Sequence, residues 1–262
     1  MQYKLLFTDL DGTVLNGGQF RENVRRTVEK LKQGGVTVVV ATGRPYCTAL
    51  PIARELGLDD GYMIVFNGSQ IYFKGQLVYN DMLSKERLRF IVESGRRLNA
   101  SQVVWLGDKL YAEQRNEQTW GYQERTPVVC NFIDDLTQLD GATKVLWNNS
   151  EEQIARFFNE MKNTEGVNVH PSHPLFLEFV GRNCSKGIAL KYVADRLGVD
   201  VSQTVAIGDS FNDLSMITQA GFGVAMGNAP QEIKDKAQLV VADVENDGFV
   251  EMAEKCFREE LN

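Results

Sequence analysis

The sequence predicts an α/β protein in which both ends of the chain form a parallel-sheet core and a smaller α+β domain is inserted between them. Near both ends, buried strand-like runs alternate with helical patterns, which favours parallel strands joined by right-handed crossovers. The middle contains short strand candidates at hairpin-like spacing, which favours an antiparallel sheet backed by helices. The length of 262 residues allows each domain a core of its own.

The N-terminal part of the core begins with a continuous apolar run at residues 3–8, which is typical of a strand buried on both faces. The elements predicted after it are a helix with Val24, Val28 and Leu31 on one face, a strand at 36–41, a helix closed by Gly57 and a strand at 62–66. Gly34 and Gly35 end the first of these helices.

The C-terminal part of the core resumes near Cys184, where Ser185 has the position of a helix N-cap. The elements predicted after it are a helix ending at Gly198, strands at 204–207, 223–226 and 239–241, helices through Leu214 and Ile233, and a final helix from Phe249. Residues 1–81 and 184–262 are together predicted to form one discontinuous core.

Residues 82–183 are predicted to form the inserted domain. Its predicted elements are a helix at 84–98 and strands at 102–106, 109–113, 144–147, 167–170 and 175–180. Ser150 and Gln153 have the spacing of a capping box, which predicts a second helix starting there.

Composition and charge limit the possible partners. The formal net charge of −7 argues against nucleic acid or an anionic membrane surface as the main partner. The N-terminus is too short and too soon acidic for a signal peptide, and no apolar run approaches the roughly 20 residues that span a bilayer. The cysteines are widely spaced and are expected to be reduced, as in a cytoplasmic protein.

Small polar and acidic residues follow the predicted core strands. In open parallel sheets, ligands bind outside the carboxyl ends of the strands. The residues at these ends are Asp9 and Asp11, Thr42-Gly43-Arg44, Asn67-Gly68, Gly208-Asp209-Ser210 and Gly227-Asn228. Their convergence predicts one crevice as the functional site.

Asp9 and Asp11 are two residues apart, so an extended segment would place both on one face, and Gly12 permits a sharp turn after them. With Asp209 they would form a repulsive cluster, which a hard cation such as Mg²⁺ neutralises. A lone Asp-x-Asp-Gly is also common as a simple turn. The segment Gly208-Asp209-Ser210-Phe211-Asn212-Asp213 after another strand favours the functional interpretation.

Two further segments suit an anion. Thr42-Gly43 offers a hydroxyl and an unobstructed backbone N–H at the start of a helix. Lys186 follows the expected N-cap at the positive end of a helix, where a lysine opposes the macrodipole. This misfit is explained if Lys186 faces a phosphate or the carboxylate cluster.

These motifs resemble the haloacid dehalogenase-like (HAD) superfamily, and within it the Cof-type sugar-phosphatase group, over the whole chain. The motifs are Asp9-Leu10-Asp11-Gly12-Thr13, Ala41-Thr42-Gly43-Arg44-Pro45, Asn67-Gly68, Ser185-Lys186-Gly187, Gly208-Asp209-Ser210-Phe211-Asn212-Asp213-Leu214-Ser215-Met216 and Ala225-Met226-Gly227-Asn228-Ala229. The resemblance implies a Rossmann-like, HAD-like catalytic core and a cap domain that confers substrate specificity, with the boundaries given above.

The resemblance also implies a role for each core residue. Asp9 would attack phosphorus and become an aspartyl phosphate, and Asp11 would protonate the leaving oxygen and then activate water. Mg²⁺ would be held by the carboxylates of Asp9 and Asp209 and the backbone carbonyl of Asp11, while Asp213 would orient its water shell. The groups implied to bind the phosphate oxygens are Thr42, Gly43, Lys186, Asn212 and the Leu10 amide.

The implied activity is hydrolysis of small phosphate monoesters, first of all sugar phosphates, with pyridoxal phosphate or a flavin nucleotide as alternative substrates. A phosphomutase or phosphotransferase would use the same aspartyl phosphate, and a regulatory module would accept phosphate without turnover. Asp11 argues against the regulatory module, because a slow switch needs no second carboxylate to activate water. The expected partner is a small-molecule phosphate ester, and the chain is expected to be a monomer or small homo-oligomer.

Several residues keep two interpretations. Arg44 and Asn67 are candidate substrate contacts, although Arg44 is as well suited to pair with a core carboxylate. His170 and His173, each followed by a proline, are predicted to form a rigid turn in the cap rather than a metal site, with a substrate contact as the alternative. The cap residues that select the substrate follow no readable code.

Overall fold

The computed structural model describes residues 3–259 and residue 261, and the chain forms two compact units. The first unit comprises Met1–Tyr79 and Ser185–Asn262, and the second comprises Asn80–Cys184. The strands are β1 (Leu5–Thr8), β2 (Thr37–Ala41), β3 (Tyr62–Val65), β4 (Gln70–Phe73), β5 (Gln76–Asn80), β6 (Leu83–Ser84), β7 (Gln102–Leu106), β8 (Lys109–Ala112), β9 (Cys130–Phe132), β10 (Gly141–Ala142), β11 (Lys144–Asn148), β12 (Val167–His173), β13 (Phe176–Gly181), β14 (Thr204–Gly208), β15 (Phe222–Ala225) and β16 (Leu239–Val240). The helices are α1 (Glu22–Gln33), α2 (Tyr46–Glu55), α3 (Lys85–Leu98), α4 (Glu117–Arg125), α5 (Glu151–Met161), α6 (Lys186–Arg196), α7 (Leu214–Gln219), α8 (Gln231–Lys234) and α9 (Gly248–Cys256).

The first unit is built on one sheet with the strand order β16-β15-β14-β1-β2-β3-β4-β5. The central strand β1 pairs in parallel with β2 and β14, so that Phe7 lies beside Val39 and Ala206. These three side chains are buried in one apolar cluster, to which α6 contributes Leu190 and Val193. The predicted α/β fold with a parallel-sheet core is therefore confirmed.

Two strands extend this sheet beyond what the sequence predicts. After β3 the chain reverses through Phe66 and Asn67, whose φ angles of 48° and 57° lie in the left-handed region. The reversal places β4 antiparallel to β3. Asn67 tolerates this backbone conformation, but nothing in the sequence marks Phe66 for it.

Local signals in the sequence explain where several helices begin. The Ser185 side chain accepts a hydrogen bond from the Ile188 amide and caps α6, as predicted. Ser150 and Gln153 form the predicted capping box at the start of α5. No helix in the described part of the chain is both long and apolar enough to cross a membrane.

The second unit contains a six-stranded sheet with the order β12-β13-β11-β7-β8-β9, in which every pair except β8 with β9 is antiparallel. One face of the sheet packs against α3 and α5 in an apolar cluster that includes Leu88, Trp147, Phe157 and Phe179. The sequence did not predict α4, which begins after Asn116, where the Asn116 side chain accepts a hydrogen bond from the Thr119 amide.

The structure corrects the prediction for the segment containing His170 and His173. Both histidines lie on β12, and the chain turns only after them, at Pro174 and Leu175. β12 is at the edge of its sheet, and its pairing with β13 is irregular between Pro171 and His173. An edge strand with such an irregularity tolerates proline, which is why the two prolines do not produce the expected turn there.

Candidate active site

The polar residues of the predicted crevice lie at one edge of the first unit's sheet. The parallel strands β1, β2, β3, β14 and β15 all end there, because parallel strands present their carboxyl ends on the same side. The residues that directly follow these strands include Asp9, Thr42, Phe66-Asn67, Asp209 and Met226-Gly227-Asn228. All of the residues predicted for the site belong to this unit.

Three carboxylates form a cluster at this edge. Asp9, Asp209 and Asp213 each offer an oxygen atom within 4.8 Å of the others. Asp9 and Asp213 are buried, with 5% and 0% of their surfaces exposed. The sequence placed these acids on separate elements, and the fold brings them together.

Lys186 is the basic member of the cluster. Its ammonium group donates to Asp9 Oδ1 at 2.6 Å and to Asp213 Oδ1 at 2.5 Å, and its side chain is fully buried. The lysine therefore faces the carboxylates, one of the two orientations that its position at the start of α6 suggested. The second oxygen of Asp213 accepts the backbone amides of Asp209 and Ser210, each at 3.0 Å.

The cluster carries more negative than positive charge, which shifts its ionisation. Burial, together with the charges of Asp213 and Asp209, raises the pKa of Asp9 to about 8, against the opposing effect of Lys186. Burial and the charge of Asp213 raise the pKa of Asp209 to about 6. Burial would lower the pKa of Lys186, but Asp213 and Asp9 outweigh it and raise that pKa. Protons or a cation are needed to balance the excess charge.

The donor set of the cluster fits a hard divalent cation, since it consists of carboxylate oxygens. Asp209 Oδ1 is buried and accepts no hydrogen bond from the described residues, so it is available as a ligand. Gly12, at a φ of 80°, passes so close to Asp209 that a Cβ atom there would overlap its carboxylate. The absence of a side chain at Gly12 is what lets the loop after β1 approach this carboxylate.

Asp11 lies outside the three-acid cluster. Arg44 donates to both oxygens of its carboxylate, from Nε at 2.7 Å and from Nη2 at 2.6 Å. This hydrogen bonding raises the pKa of Arg44. Of the two roles that suited Arg44, pairing with a core carboxylate is the one that the structure contains. The preceding residue, Leu10, is buried and its carbonyl accepts the amides of the turn that follows.

Two residues expected to bind the phosphate, Asn212 and Gly43, lie close to the candidate substrate contact Asn67. Asn212 Nδ2 donates to Asn67 Oδ1 at 2.9 Å. A Cβ atom on Gly43 would lie 2.9 Å from the same oxygen, so only glycine allows this approach. Thr42 is buried, and its hydroxyl accepts the Arg44 amide at 3.2 Å.

Asn228 is a member of the site to which the sequence assigned no role. Its side-chain amide donates to Asp209 Oδ2 and to the Gly12 carbonyl, each at 3.0 Å. It therefore fixes Asp209 against the loop after β1. The available signal was its position directly after β15, where the sequence placed it at the crevice.

Comparisons with known proteins place the chain in a family. A family model described as haloacid dehalogenase-like hydrolase matches residues 6–252. The phosphatase YwpJ of Bacillus subtilis is 28% identical, over 95% of this chain and 98% of the relative. The 5-amino-6-(5-phospho-D-ribitylamino)uracil phosphatase YcsE of the same organism is 29% identical, over 94% and 92%. A crystal structure of a haloacid dehalogenase-like hydrolase from Bacteroides thetaiotaomicron superposes with a TM-score of 0.89 at 28% identity, over 97% of this chain and all of that one.

The α/β fold and the acidic site at the strand ends are those of a hydrolase. The chain belongs to the haloacid dehalogenase-like hydrolase family. The predicted family and the predicted class of enzyme, a phosphatase of that family, are confirmed.

Proposed function

We propose that the protein hydrolyses small phosphate monoesters in a Mg²⁺-dependent reaction in which Asp9 is transiently phosphorylated. The observation that carries this proposal is the fully buried ammonium group of Lys186 between Asp9 and Asp213. Burying one lysine among three carboxylates is a poor way to stabilise a fold, because the desolvation of the charges is not repaid. The same arrangement suits the binding of a phosphoryl group and a cation.

Asp9 is the proposed nucleophile. Lys186 binds its Oδ1 atom, which orients the carboxylate and leaves Oδ2 to attack phosphorus. Attack forms the bond between Oδ2 and phosphorus and breaks the bond between phosphorus and the ester oxygen. Water then releases phosphate from Asp9, so that one difficult hydrolysis becomes two easier displacements. The positive charge of Lys186 stabilises the phosphoryl oxygens in both steps.

Asp11 is the proposed acid and base. One of its oxygens must first part from Arg44 and take up a proton from solvent, which Asp11 then gives to the leaving oxygen in the first step; in the second step Asp11 takes a proton from the attacking water. Because Arg44 binds both oxygens of Asp11, the leaving oxygen must displace at least one of these hydrogen bonds. Arg44 thus sets the direction in which Asp11 points before the ester binds.

The proposed Mg²⁺ ligands are the carboxylates of Asp9 and Asp209 and the backbone carbonyl of Asp11. Asp213, whose oxygens accept hydrogen bonds from Lys186 and from two backbone amides, is proposed to orient the water shell of the ion. When bound, Mg²⁺ offsets the negative charge of the transferring phosphoryl group. The proposed contacts of the phosphate oxygens are Thr42, Gly43, Asn212, Lys186 and the Leu10 amide.

We further propose that residues 1–81 and 184–262 act as the catalytic core and residues 82–183 as a cap that excludes water and selects the leaving group. Sugar phosphates and related phosphorylated polyols are the proposed substrates, with Asn67 as a further substrate contact. The relative YcsE supports this class, because the substrate in its name carries a phosphorylated ribityl chain.

The proposal is tested by phosphate release from p-nitrophenyl phosphate and from a panel of sugar phosphates. Wild type is expected to turn over with Mg²⁺, to stop with EDTA and to recover when Mg²⁺ is added again. Asp9→Asn is expected to fold and to lose activity by about 10⁴-fold or more, because it removes the nucleophile. Asp140→Asn, at an exposed position, is the matched control and should keep wild-type turnover. An Asp9→Asn variant with wild-type turnover would rule out the covalent mechanism.

A further inference from the structure

The side chain of Asn228 links three segments of the first unit at the candidate active site. Its nitrogen donates to Asp209 Oδ2 and to the Gly12 carbonyl, each at 3.0 Å. Its oxygen accepts the backbone amide of Val244 at 3.1 Å. Gly12 lies in the loop after β1, Asp209 follows β14 and Val244 lies in the segment after β16. One carboxamide group therefore connects the segments that follow three strands.

The partners of this carboxamide determine which way it faces. A backbone amide can only donate, so Val244 must face the oxygen of Asn228, and the two acceptors must face the nitrogen. The nitrogen carries two hydrogens, and the contacts with Asp209 and Gly12 use both of them. An amide nitrogen offers no lone pair to a cation. Asn228 is therefore a neighbour of the proposed cation ligands, and the atom that faces them is not itself a ligand.

The backbone beside Asn228 is held in place by contacts that do not involve Asp209. The Gly227 amide donates to the Ala242 carbonyl at 3.1 Å, and a Cβ atom on Gly227 would lie 2.6 Å from the Asp243 nitrogen. Only glycine allows the two segments to approach so closely. The loop after β15 thus presents Asn228 from a fixed position.

The contacts of Asp209 hold its carboxylate in one orientation. The Gly12 backbone packs against the carboxylate, and Asn228 binds its Oδ2 atom. The Oδ1 atom is buried and has no hydrogen-bond partner among the described residues. Without a cation, the carboxylate is repelled by those of Asp9 and Asp213, which have oxygen atoms within 4.8 Å. Turning away from them would break the hydrogen bond to Asn228.

We propose that Asn228 is a positioning residue, which keeps Asp209 oriented for the cation before the cation arrives and so raises the affinity of the site for Mg²⁺. A ligand that is already in place loses less conformational freedom on binding. Side chains that hold metal ligands commonly change metal affinity by about 10- to 100-fold. The inference deepens the proposed function and rests on it, because the cation is the one that the proposed reaction requires.

The direct test measures cation binding in the absence of any phosphate ester. Full-length wild type and Asn228→Ala are freed of metal with EDTA, dialysed and titrated with MnCl₂, while electron paramagnetic resonance follows the free Mn²⁺. Mn²⁺ is a suitable probe because it takes the same oxygen ligands as Mg²⁺, and MgCl₂ then competes for the site. The Kd values for both ions are expected to rise by roughly tenfold or more in Asn228→Ala.

Turnover provides a second measurement that separates positioning from a merely structural role. With p-nitrophenyl phosphate as substrate, the Mg²⁺ concentration that gives half-maximal turnover is expected to rise by about the same factor as the Kd. The kcat at saturating Mg²⁺ should fall by a smaller factor, because excess Mg²⁺ restores the bound state. A merely structural role would lower the active fraction, and with it kcat, without changing the half-maximal Mg²⁺ concentration.

Asn246→Ala is the matched control. Asn246 is exposed, and its side-chain amide donates at 2.9 Å to Asp243 Oδ1, a carboxylate outside the cluster. This variant should bind Mn²⁺ and Mg²⁺ as wild type does, and circular dichroism checks that each variant is folded. If Asn228→Ala does not fold, Asn228→Ser carries the same test, because serine is shorter and has a single donor.

The outcomes separate this inference from the proposed function. Weaker cation binding in Asn228→Ala, with wild-type binding in Asn246→Ala, supports the inference. Equal Kd values in wild type and Asn228→Ala, or equal weakening in both variants, overturn it and leave the proposed function intact. If Asn228→Ala binds the cations weakly but wild type hydrolyses no ester, the proposed function is overturned and the role of Asn228 at the cation site is supported. Failure of wild type to bind either cation overturns both.

Discussion

Each unit of the protein buries a lysine, and the two lysines have different numbers of carboxylates around them. In the first unit, Lys186 contacts Asp9 and Asp213, with Asp209 close by. In the second unit, Lys144 forms an ion pair with Glu178. The first group therefore has an excess of negative charge, while the second is balanced by one carboxylate for one ammonium.

The charge balance of each group shifts the pKa values of its acids, and the two shifts have opposite directions. The excess charge and burial raise the pKa values of Asp9 and Asp209, so the first group takes up protons or a cation readily. In the second group, Lys144 and His170 overcome burial and lower the pKa of Glu178, so this acid stays ionised without further help. The carboxylate oxygens of the first group therefore fit a cation that would offset their excess charge, and the balanced second group needs none.

The largest expected effect separates the two lysines by activity. Lys186→Met should reduce kcat/KM for every phosphate ester by roughly 100- to 1000-fold, because it removes a positive charge from the phosphoryl oxygens. Steady-state phosphate release measures this loss, and circular dichroism checks that the variant is folded. Lys255→Met, at an exposed lysine of the same unit, is the matched control and should resemble wild type. Loss on only some esters would mean that Lys186 contacts the leaving group instead.

The free energy of unfolding tests whether the charges of Lys144 and Glu178 balance each other. Lys144→Met leaves the Glu178 carboxylate buried without its partner and should lower the free energy of unfolding by about 3 to 5 kcal/mol. The double variant Lys144→Met/Glu178→Leu removes both charges and should return to within about 1 kcal/mol of wild type. Urea unfolding at pH 7 measures both values. A small effect of the single variant would contradict a tightly paired, buried group.

The two groups should also respond differently to pH. The pKa values of about 8 for Asp9 and about 6 for Asp209 in the folded protein exceed the ordinary value of 3.8. Between about pH 4 and pH 8 the folded protein therefore binds more protons than the unfolded chain. The contribution of this group to the free energy of unfolding falls as the pH rises through that range. The pKa of Glu178 is lowered, so its contribution is lost only when pH falls below its ordinary value of 4.5.

Urea unfolding in EDTA at pH 5.5 and pH 8 measures this difference. Wild type is expected to lose about 1 kcal/mol more than Asp209→Asn over this interval, because the variant lacks one of the raised carboxyl groups. Comparing the two proteins cancels titrations elsewhere in the chain. Added Mg²⁺ should reduce the loss in wild type, since it neutralises the carboxylates that protons no longer neutralise. Identical pH dependence in both proteins would contradict the raised pKa of Asp209.

The smallest expected effect concerns Arg44. Arg44→Lys replaces a two-pronged contact with Asp11 by a single donor and should reduce kcat by about 3- to 10-fold. The binding of phosphate should change little, because Arg44 orients Asp11 and not the phosphate. Values of kcat and KM for p-nitrophenyl phosphate measure the effect. Arg54→Lys, in an exposed ion pair of the same unit, is the matched control. A change in KM alone would place Arg44 on the substrate.

Much of the first unit could be predicted because its signals are local. The apolar run that becomes β1 and the N-cap at Ser185 depend on neighbouring residues only, and both are where the sequence predicted them. The second unit was harder to predict from the sequence. Its sheet joins strands distant in sequence, such as β7 with β11, and α4 carries too few apolar residues to show a helical pattern. The prolines of β12 favoured a turn that the edge of the sheet does not require.

The sequence by itself determined the alternation of strands and helices, the helix caps and the set of polar residues at the ends of the parallel strands. These follow from hydrophobic periodicity and from the rule that parallel strands end on one side. Only the tertiary structure decided which charges meet. Lys186 is 177 residues from Asp9 and 27 from Asp213, and the bond of Arg44 to Asp11 joins two strand ends. Such pairings depend on distances across the fold, because electrostatic and hydrogen-bond energies are set by separation in space and not along the chain.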